Sequence, residues 1–346
     1  MIPYGRQNIS EEDIQAVVDA LRADFITTGP LVQQFEEKVC ERVGAKHGVA
    51  VSSGTAALHA AMFALRIGPG DEVIIPAITF VATSNAVLYQ GGWPVFCDVD
   101  PETLLIDLKR AEELITRRTR AIIAVDYAGQ CCDYIALREF AEKHNLFLIS
   151  DACHSLEAMF PPADITCYSF HPVKHITTGE GGMAVTEDGA LASRMRRFRN
   201  HGMINGEVVD LGYNYRMTDI QCALGLSQLK KLGAWIAERR RLAGRYDQKL
   251  TVRRLRRRGI HSYHLYVVKI PDRDVVMQKL LEKGIRCQIH YRPVYHHPYY
   301  DPYYIGHCPE AERAYKEILS LPIYPGLTED QQDYVIESLE ELVWQE

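Results

Sequence analysis

Ser169-Phe-His-Pro-Val-Lys174-His-Ile-Thr-Thr-Gly-Glu-Gly-Gly182 is the stretch around which the chain is organised. The apolar pattern predicts a strand over residues 163–170 running into it and another over 183–186 leaving it. Between them lies one lysine among small and hydroxyl side chains. Burying a lysine is costly unless its ammonium is paired or its amine is consumed chemically. Gly179, Gly181 and Gly182 suggest that backbone approaches a ligand closely here. Alone, the stretch leaves two readings open: a solvated loop lysine, or an amine that holds a carbonyl compound as a Schiff base.

Two further stretches bear on that choice. An apolar run at 48–52 leads into Ser53-Gly54-Thr55-Ala56-Ala57-Leu58, which reads as a strand, a glycine turn and an alanine-rich helix. Backbone N–H groups at such a helix start form an anion site, although an ordinary tight turn has the same pattern. Phe147-Leu-Ile-Ser-Asp151-Ala-Cys-His154 delivers Asp151 at the carboxyl end of an apolar strand, where open α/β sheets bind ligands. A carboxylate there is poised to meet a cationic ring nitrogen; the plainer alternative is a helix N-cap. His154 faces the same site or is a satisfied core histidine. Phe80, at another strand exit, either stacks on a ring or belongs to the core.

Elsewhere the pattern predicts helices at 10–23 and 31–43, the first capped by Ser10 with Asp13 at N3 and an apolar face of Ile14, Val17, Val18 and Leu21. Strands are expected at 71–76, 93–99, 121–126 and 146–151, with helical stretches such as 137–144 between several of them. Such alternation implies a largely parallel sheet covered on both faces. A basic helix follows at 191–199, then a helix capped by Thr218 and running to about residue 232. Near Gly233 the pattern changes, to a helix at 235–250, a strand at 264–270, a helix at 275–283, a strand at 285–291, and helices at 310–319 and 329–342. The expected division is a large domain, 1–232, and a smaller α/β domain, 233–346.

The 346 residues, 47% of them hydrophobic, are enough for two such cores. A net charge of −6 argues against bulk nucleic-acid binding, and the basic run at 253–258 reads as a solvated loop. Nine cysteines with no Cys-x-x-Cys pair fit reduced thiols better than a disulfide framework. The start has no basic segment followed by an apolar one, and no stretch reaches the ~18 apolar residues of a membrane span. A cytoplasmic protein without a membrane partner is expected. His290, His296, His297 and His307 with Cys308 match no standard zinc spacing. No metal is expected, and an aromatic-lined polar loop for a sugar or nucleotide is the preferred reading.

A phosphate-ready helix start, a strand-end aspartate and a downstream loop lysine together resemble fold-type I pyridoxal-phosphate enzymes. The wording narrows this. Ser-Gly-Thr-Ala-Ala-Leu at 53–58, Asp-Ala-Cys-His at 151–154, Ser-Phe-His-Pro-Val-Lys at 169–174, Glu-Gly-Gly at 180–182 and Gly-Tyr-Asn-Tyr-Arg-Met at 212–217 resemble the nucleotide-sugar aminotransferases of the DegT/StrS group. The resemblance extends from Thr28-Gly29-Pro30 to the late Ser320-Leu-Pro. It implies a fold-type I α/β transferase in which Lys174 is the Schiff-base lysine and acid/base group and Asp151 the partner of the pyridine nitrogen. Gly54, Thr55 and Ala56 would hold the cofactor phosphate with Ser169, Phe80 would stack on the ring, and His154 would lie near it. Asn214 would reach the phosphate from the neighbouring subunit, which implies a homodimer. Thr28, His290, Tyr291 and Arg292 are the expected substrate residues.

Within the group, the stretches at 171–182, 209–216 and 290–295 read closest to the C4 aminotransferases of pseudaminic acid biosynthesis. That implies L-glutamate as donor and a UDP-linked 2-acetamido-2,6-dideoxy-4-keto hexose as acceptor, with another dTDP- or UDP-linked 4-keto-6-deoxy sugar as the runner-up. Group members that are dehydratases carry histidine at the lysine position, so Lys174 argues against that activity. A pyridoxal-phosphate sensor and a plain nucleotide-binding module are the other rivals. Residues 155–162 and 250–263 form shorter loops than the group usually has. Either the loops are trimmed or the sequence lacks residues there; the expectation is the second.

Overall fold

Residues 1–157, 161–304 and 306–343 are described by the structure, a computed structural model. The chain begins with α1 (Glu11–Arg22), α2 (Pro30–Val43), β1 (His47–Val51), α3 (Gly54–Ala64), β2 (Glu72–Pro76), α4 (Val81–Tyr89) and β3 (Trp93–Cys97). It continues through α5 (Leu108–Glu113), β4 (Thr119–Val125), α6 (Tyr134–His144), β5 (Phe147–Asp151), β6 (Ile165–Ser169), β7 (Gly182–Thr186) and α7 (Gly189–Phe198). A small ribbon, β8 (Met203–Ile204) and β9 (Glu207–Val208), precedes α8 (Asp219–Leu229) and α9 (Leu232–Lys249). The last elements are β10 (Arg253–Arg254), β11 (Tyr266–Lys269), α10 (Arg273–Glu282), α11 (Pro309–Glu317), β12 (Ile318–Leu321) and α12 (Glu329–Val343).

Seven strands pair in the order β1-β7-β6-β5-β4-β2-β3. Strands β3, β2, β4, β5 and β6 are mutually parallel, and β7 is antiparallel to both of its neighbours. The expected mixed, mostly parallel α/β sheet is therefore present. Its central strands are buried on both faces, and this is why Val73-Ile-Ile and Ala121-Ile-Ile-Ala-Val read as continuous apolar runs rather than alternating ones. The parallel arrangement brings Val125, Asp151 and Cys167 into register near the carboxyl ends of β4, β5 and β6. Those ends, with the β1–α3 turn beside them, form the floor of the site.

After residue 250 a three-stranded antiparallel sheet, β10-β11-β12, packs with α9, α10 and α12. Its apolar cluster includes Tyr246, Val268, Leu280, Leu319 and Leu339, and it also takes in Ile2 from the N-terminus. Gly233, where the pattern was expected to change, lies in the first turn of α9.

Several local expectations are corrected. Residues 285–291 form no strand: only Ile285 and Gln288 make isolated bridges, to Ile2 and Ser320. The third strand is instead β12, which had been read as the end of a helix because no breaker separates Glu317 from Ile318. The capping box of α1 is present, but its apolar face is not core: Ile14 is 47% and Leu21 56% exposed. That helix buries Asp13 and Ala20 instead, and Asp13 accepts hydrogen bonds from Gln228 and pairs with Lys231. The basic run is ion-paired rather than merely solvated, Arg254 and Arg257 with Asp247 and Arg256 with Glu102. The loop at 250–263 is held by backbone bonds from Cys131 to Ile260 and from Ser262 to Gly129. In the other short loop, residues 158–160 lie outside the described residues.

Candidate active site

A cavity of about 690 Å³ opens at the carboxyl ends of the sheet. Its lining brings together Gly54, Thr55, Phe80, Asp151, His154, Ser169, Lys174, His290 and Tyr291, all of which the sequence singled out.

Lys174 sits in the β6–β7 connection, where its N–H donates to the His171 carbonyl, and the loop is closed by Thr177 and Thr178 donating to the Phe170 carbonyl. Among the described residues its amine has no hydrogen bond or ion pair. Burial lowers its pKa from the usual lysine value, against the opposing pull of Cys153 and Asp151. A lowered pKa raises the fraction of neutral, nucleophilic amine. Two of the glycines that follow are also required by packing within the chain. A Cβ on Gly182 would lie 2.3 Å from the Ser53 carbonyl oxygen, and one on Gly181 would lie 2.2 Å from the Thr178 hydroxyl. They let β7 pass against the β1–α3 turn.

Asp151 is buried at the end of β5. The Thr83 hydroxyl donates to its Oδ2 at 2.9 Å, Thr79 donates to Thr83 at 2.8 Å, and the Cys153 N–H donates to Oδ1 at 3.3 Å. These bonds aim the carboxylate without neutralising its charge.

At the start of α3, Ser53 is the N-cap and its hydroxyl accepts from the Ala56 N–H at 3.1 Å. Ala56 is thus already engaged and does not line the cavity. The N–H groups of Gly54 and Thr55 remain, together with the hydroxyls of Thr55 and Ser169. Gly54 is required here, because a Cβ would meet that of Ser169 at 2.8 Å. Phe80, 55% exposed, borders the cavity with its ring centroid 5.9 Å from that of Tyr291.

His154 places Nε2 3.1 Å from the Tyr291 hydroxyl. Burial, and then the nearby Lys174, hold its pKa well below the ordinary histidine range. His290 bonds through Nδ1 to the Ser320 hydroxyl at 2.9 Å, and its carbonyl accepts from Tyr127. Burial lowers its pKa to about 3.

Three expected residues lie elsewhere. Thr28 borders a separate groove with Gln33 and Glu37. Arg292 is exposed and donates to the His296 carbonyl. Asn214 is exposed and bridges Asn200 through the backbone. In the aromatic loop after Tyr291, Tyr295 stacks on Tyr304 at 3.8 Å, Trp93 and Phe96 of β3 pack against Tyr303 and Tyr295, and Tyr299 is exposed. Conversely, Tyr4, Glu180 and His264 line the cavity without having been recognised. Tyr4 lies far from any motif, and His264 read as the first residue of a strand.

An unpartnered amine on a half-buried lysine, a carboxylate aimed from a strand end, and a helix start flanked by hydroxyls together fit pyridoxal phosphate. Comparison with known proteins agrees. The profile of the DegT/DnrJ/EryC1/StrS aminotransferase family matches residues 7–340. The spore coat polysaccharide biosynthesis protein SpsC of Bacillus subtilis (strain 168) is 38% identical, with 99% of this chain and 97% of that protein covered. Its alignment spans 377 positions, more than the 346 residues here, so SpsC has segments without a counterpart in this chain. Among solved structures, Helicobacter pylori PseC, an aminotransferase involved in the biosynthesis of pseudoaminic acid, superposes with a TM-score of 0.94 at 32% identity over the whole of both chains. The pyridoxal-phosphate form of the putative sugar aminotransferase Spr1654 from Streptococcus pneumoniae gives 0.93 at 29% identity, covering 99% of each chain. This chain belongs to the DegT/DnrJ/EryC1/StrS aminotransferase family and is a pyridoxal-phosphate-dependent sugar aminotransferase.

Proposed function

We propose that the enzyme moves the amino group of L-glutamate to C4 of a UDP-linked 4-keto-6-deoxy-N-acetylhexosamine, in pseudaminic acid biosynthesis. The observation that carries the substrate is the likeness to PseC over the full length of both chains. Bound pyridoxal phosphate supplies an electron sink for the carbon that loses its proton. Lys174 is the group that binds the cofactor covalently. With the cofactor in place, the Lys174 amine would take the proton from the donor's Cα as a base and give it back as an acid. Asp151 holds a proton on the pyridine nitrogen. Gly54, Thr55 and Ser169 anchor the phosphate, Phe80 covers a ring face and His154 borders the ring. His290 and Tyr291 bound the space for the sugar.

SpsC, a spore coat polysaccharide biosynthesis protein, supports a second reading, amination of a different UDP- or dTDP-linked 4-keto-6-deoxy sugar. Telling such sugars apart takes only a few hydrogen bonds, each costing about 1–3 kcal/mol when lost from a buried site. A competition between the L-arabino and D-xylo epimers of the 4-keto UDP-sugar, with glutamate as donor, decides between them. The L-arabino epimer is expected to be aminated at C4 at least about tenfold faster. Preference for the D-xylo epimer, a 3-keto sugar or a dTDP sugar would overturn the pseudaminic assignment and leave the aminotransferase standing.

The working form is a homodimer in the cytoplasm. Asn214 faces away from its own cavity, and Leu21, Phe25, Ile26, Val208, Val209 and Leu211 leave apolar surface exposed on α1 and around the ribbon. All nine cysteines are free thiols, which suits a reducing compartment. Asn214→Ala is expected to fold and dimerise but to hold the cofactor about tenfold less tightly, as measured by equilibrium dialysis. Unchanged cofactor affinity would remove Asn214 from the partner's phosphate site.

A further inference from the structure

Arg239, on α9, is the largest fully buried side chain of the described residues and is 1% exposed. Among the described residues it has no carboxylate partner. Its guanidinium donates instead to three carbonyl oxygens, those of Tyr263 at 3.1 Å, His264 at 3.3 Å and Ile323 at 2.9 Å, and its Nε donates to nothing. Burial lowers its pKa to about 10, so the charge persists at neutral pH.

His264, whose carbonyl that cation holds, is 4% exposed and lines the cavity. Among the described residues neither of its ring nitrogens is hydrogen-bonded, and Nδ1 is sealed from solvent. Its ring centroid lies 4.3 Å from that of His154, whose Nδ1 is also sealed and unpartnered. The turn that carries His264 is locked in place. Ser262 donates through its N–H and its hydroxyl to the Gly129 carbonyl, and its hydroxyl also reaches the His154 carbonyl at 2.9 Å. A Cβ on Gly129 would strike the Ser262 hydroxyl at 2.5 Å, which makes this contact depend on glycine.

Buried polar atoms without partners are uncommon, and each costs free energy until something satisfies it. Here two adjacent imidazoles each keep a sealed Nδ1 without a partner among the described residues, and the guanidinium that holds the His264 carbonyl has no carboxylate among them. The other groups acting on His264 are Lys174 and His175, also basic. Asp151, the carboxylate on this wall, is already engaged by Thr83 and Cys153. Such a place calls for an anionic oxygen supplied by a ligand. Four anionic groups enter this enzyme, counting both carboxylates of glutamate, whose γ-carboxylate stands two bonds farther from the reacting carbon than its α-carboxylate. The cofactor phosphate has its own place at the start of α3. The sugar's diphosphate is on C1, across the ring from the keto carbon. The donor's α-carboxylate, by contrast, is bonded to the carbon whose proton Lys174 removes, so it must lie beside Lys174.

We propose that His264, backed by Arg239 and packed against His154, forms the subsite for the α-carboxylate of the amino donor. This rests on the reading above that the donor is an amino acid, and it assigns that donor's recognition to residues of the chain's own α9–β11 region. Carboxylate binding would engage Nε2, the His264 ring nitrogen that is not sealed, and would bring a negative charge to the residue whose backbone carbonyl Arg239 holds from behind.

The test pairs a variant with a ligand truncation on the holoenzyme. L-α-methylglutamate binds without losing a Cα proton, and 4-aminobutyrate is glutamate without the α-carboxylate. Calorimetry is expected to show His264→Ala binding α-methylglutamate about 10- to 100-fold more weakly than the parent enzyme, while its affinity for 4-aminobutyrate changes less than about threefold. Cofactor affinity and the sugar half-reaction from the pyridoxamine form are expected to stay within the same narrow range. His264→Leu, which keeps more of the volume, serves if the alanine variant does not fold, and Arg239→Met is expected to weaken the same ligand selectively. Equal loss for both ligands, no loss for either, or loss confined to the sugar half-reaction would overturn the subsite. Wild-type holoenzyme that fails to respond to L-glutamate would instead overturn the donor assignment, and the subsite with it.

Discussion

Lys174→Ala is expected to lower turnover by at least about 10⁴-fold and to abolish the visible absorption band of the covalently held cofactor. Both effects come from one amine. In this fold no other lysine lines the cavity, and the Lys174 amine makes no competing hydrogen bond or ion pair among the described residues. Burial keeps part of that amine neutral, as attack on a carbonyl requires. The loop that carries it is closed by its own backbone, through Thr177 and Thr178 to the Phe170 carbonyl. The substitution should therefore remove chemistry without unfolding the site: thermal unfolding is expected to shift by only a few degrees, and cofactor should still bind non-covalently at the α3 start. The measurement is a visible spectrum with and without L-glutamate, beside a steady-state assay. A band that survives and is bleached by glutamate would assign the covalent role to another residue.

Asp151→Asn is the second large loss. The carboxylate's proposed part is to keep a proton on the pyridine nitrogen and so keep the ring electron-withdrawing. Removing one member of a buried charge pair costs about 3–5 kcal/mol, equivalent to about 10²- to 10⁴-fold in rate at 1.36 kcal/mol per tenfold. Asparagine retains the shape and the bond from Thr83 but carries no charge, so the cofactor should still load. The expected signature is a kcat loss far larger than any change in KM for the sugar. A loss seen mainly in cofactor occupancy would make Asp151 an anchor rather than an electrostatic partner. Thr83→Val offers a graded control: it removes the hydroxyl that aims Oδ2 and is expected to cost about tenfold.

Particular residues mark where sequence was sufficient. Lys174, Asp151 and the Ser53–Leu58 turn were legible because each sits at the end of a strand whose apolar run is unmistakable, and parallel strands put their carboxyl ends side by side. Phe80 and His154 followed because they lie within three residues or so of such an end. The glycines after Lys174 were legible as tight positions, but their cause was not, since the Ser53 carbonyl that excludes a side chain is more than a hundred residues away in the chain.

By itself, the sequence determined the sheet, its parallel sense and the three chemical groups at its edge. All of these follow from local periodicity, turn chemistry and residue type, which act over a few residues. Only the tertiary structure decided that α1 buries Asp13 and leaves Ile14 and Leu21 exposed, that β12 rather than 285–291 completes the small sheet, and that His264 stands on an unpaired Arg239 beside His154. Those outcomes depend on which surfaces meet once the chain has folded. Burial and charge pairing between distant segments leave no mark on local sequence, so the partners of Arg239 and the exposed face of α1 become visible only when the segments are brought together.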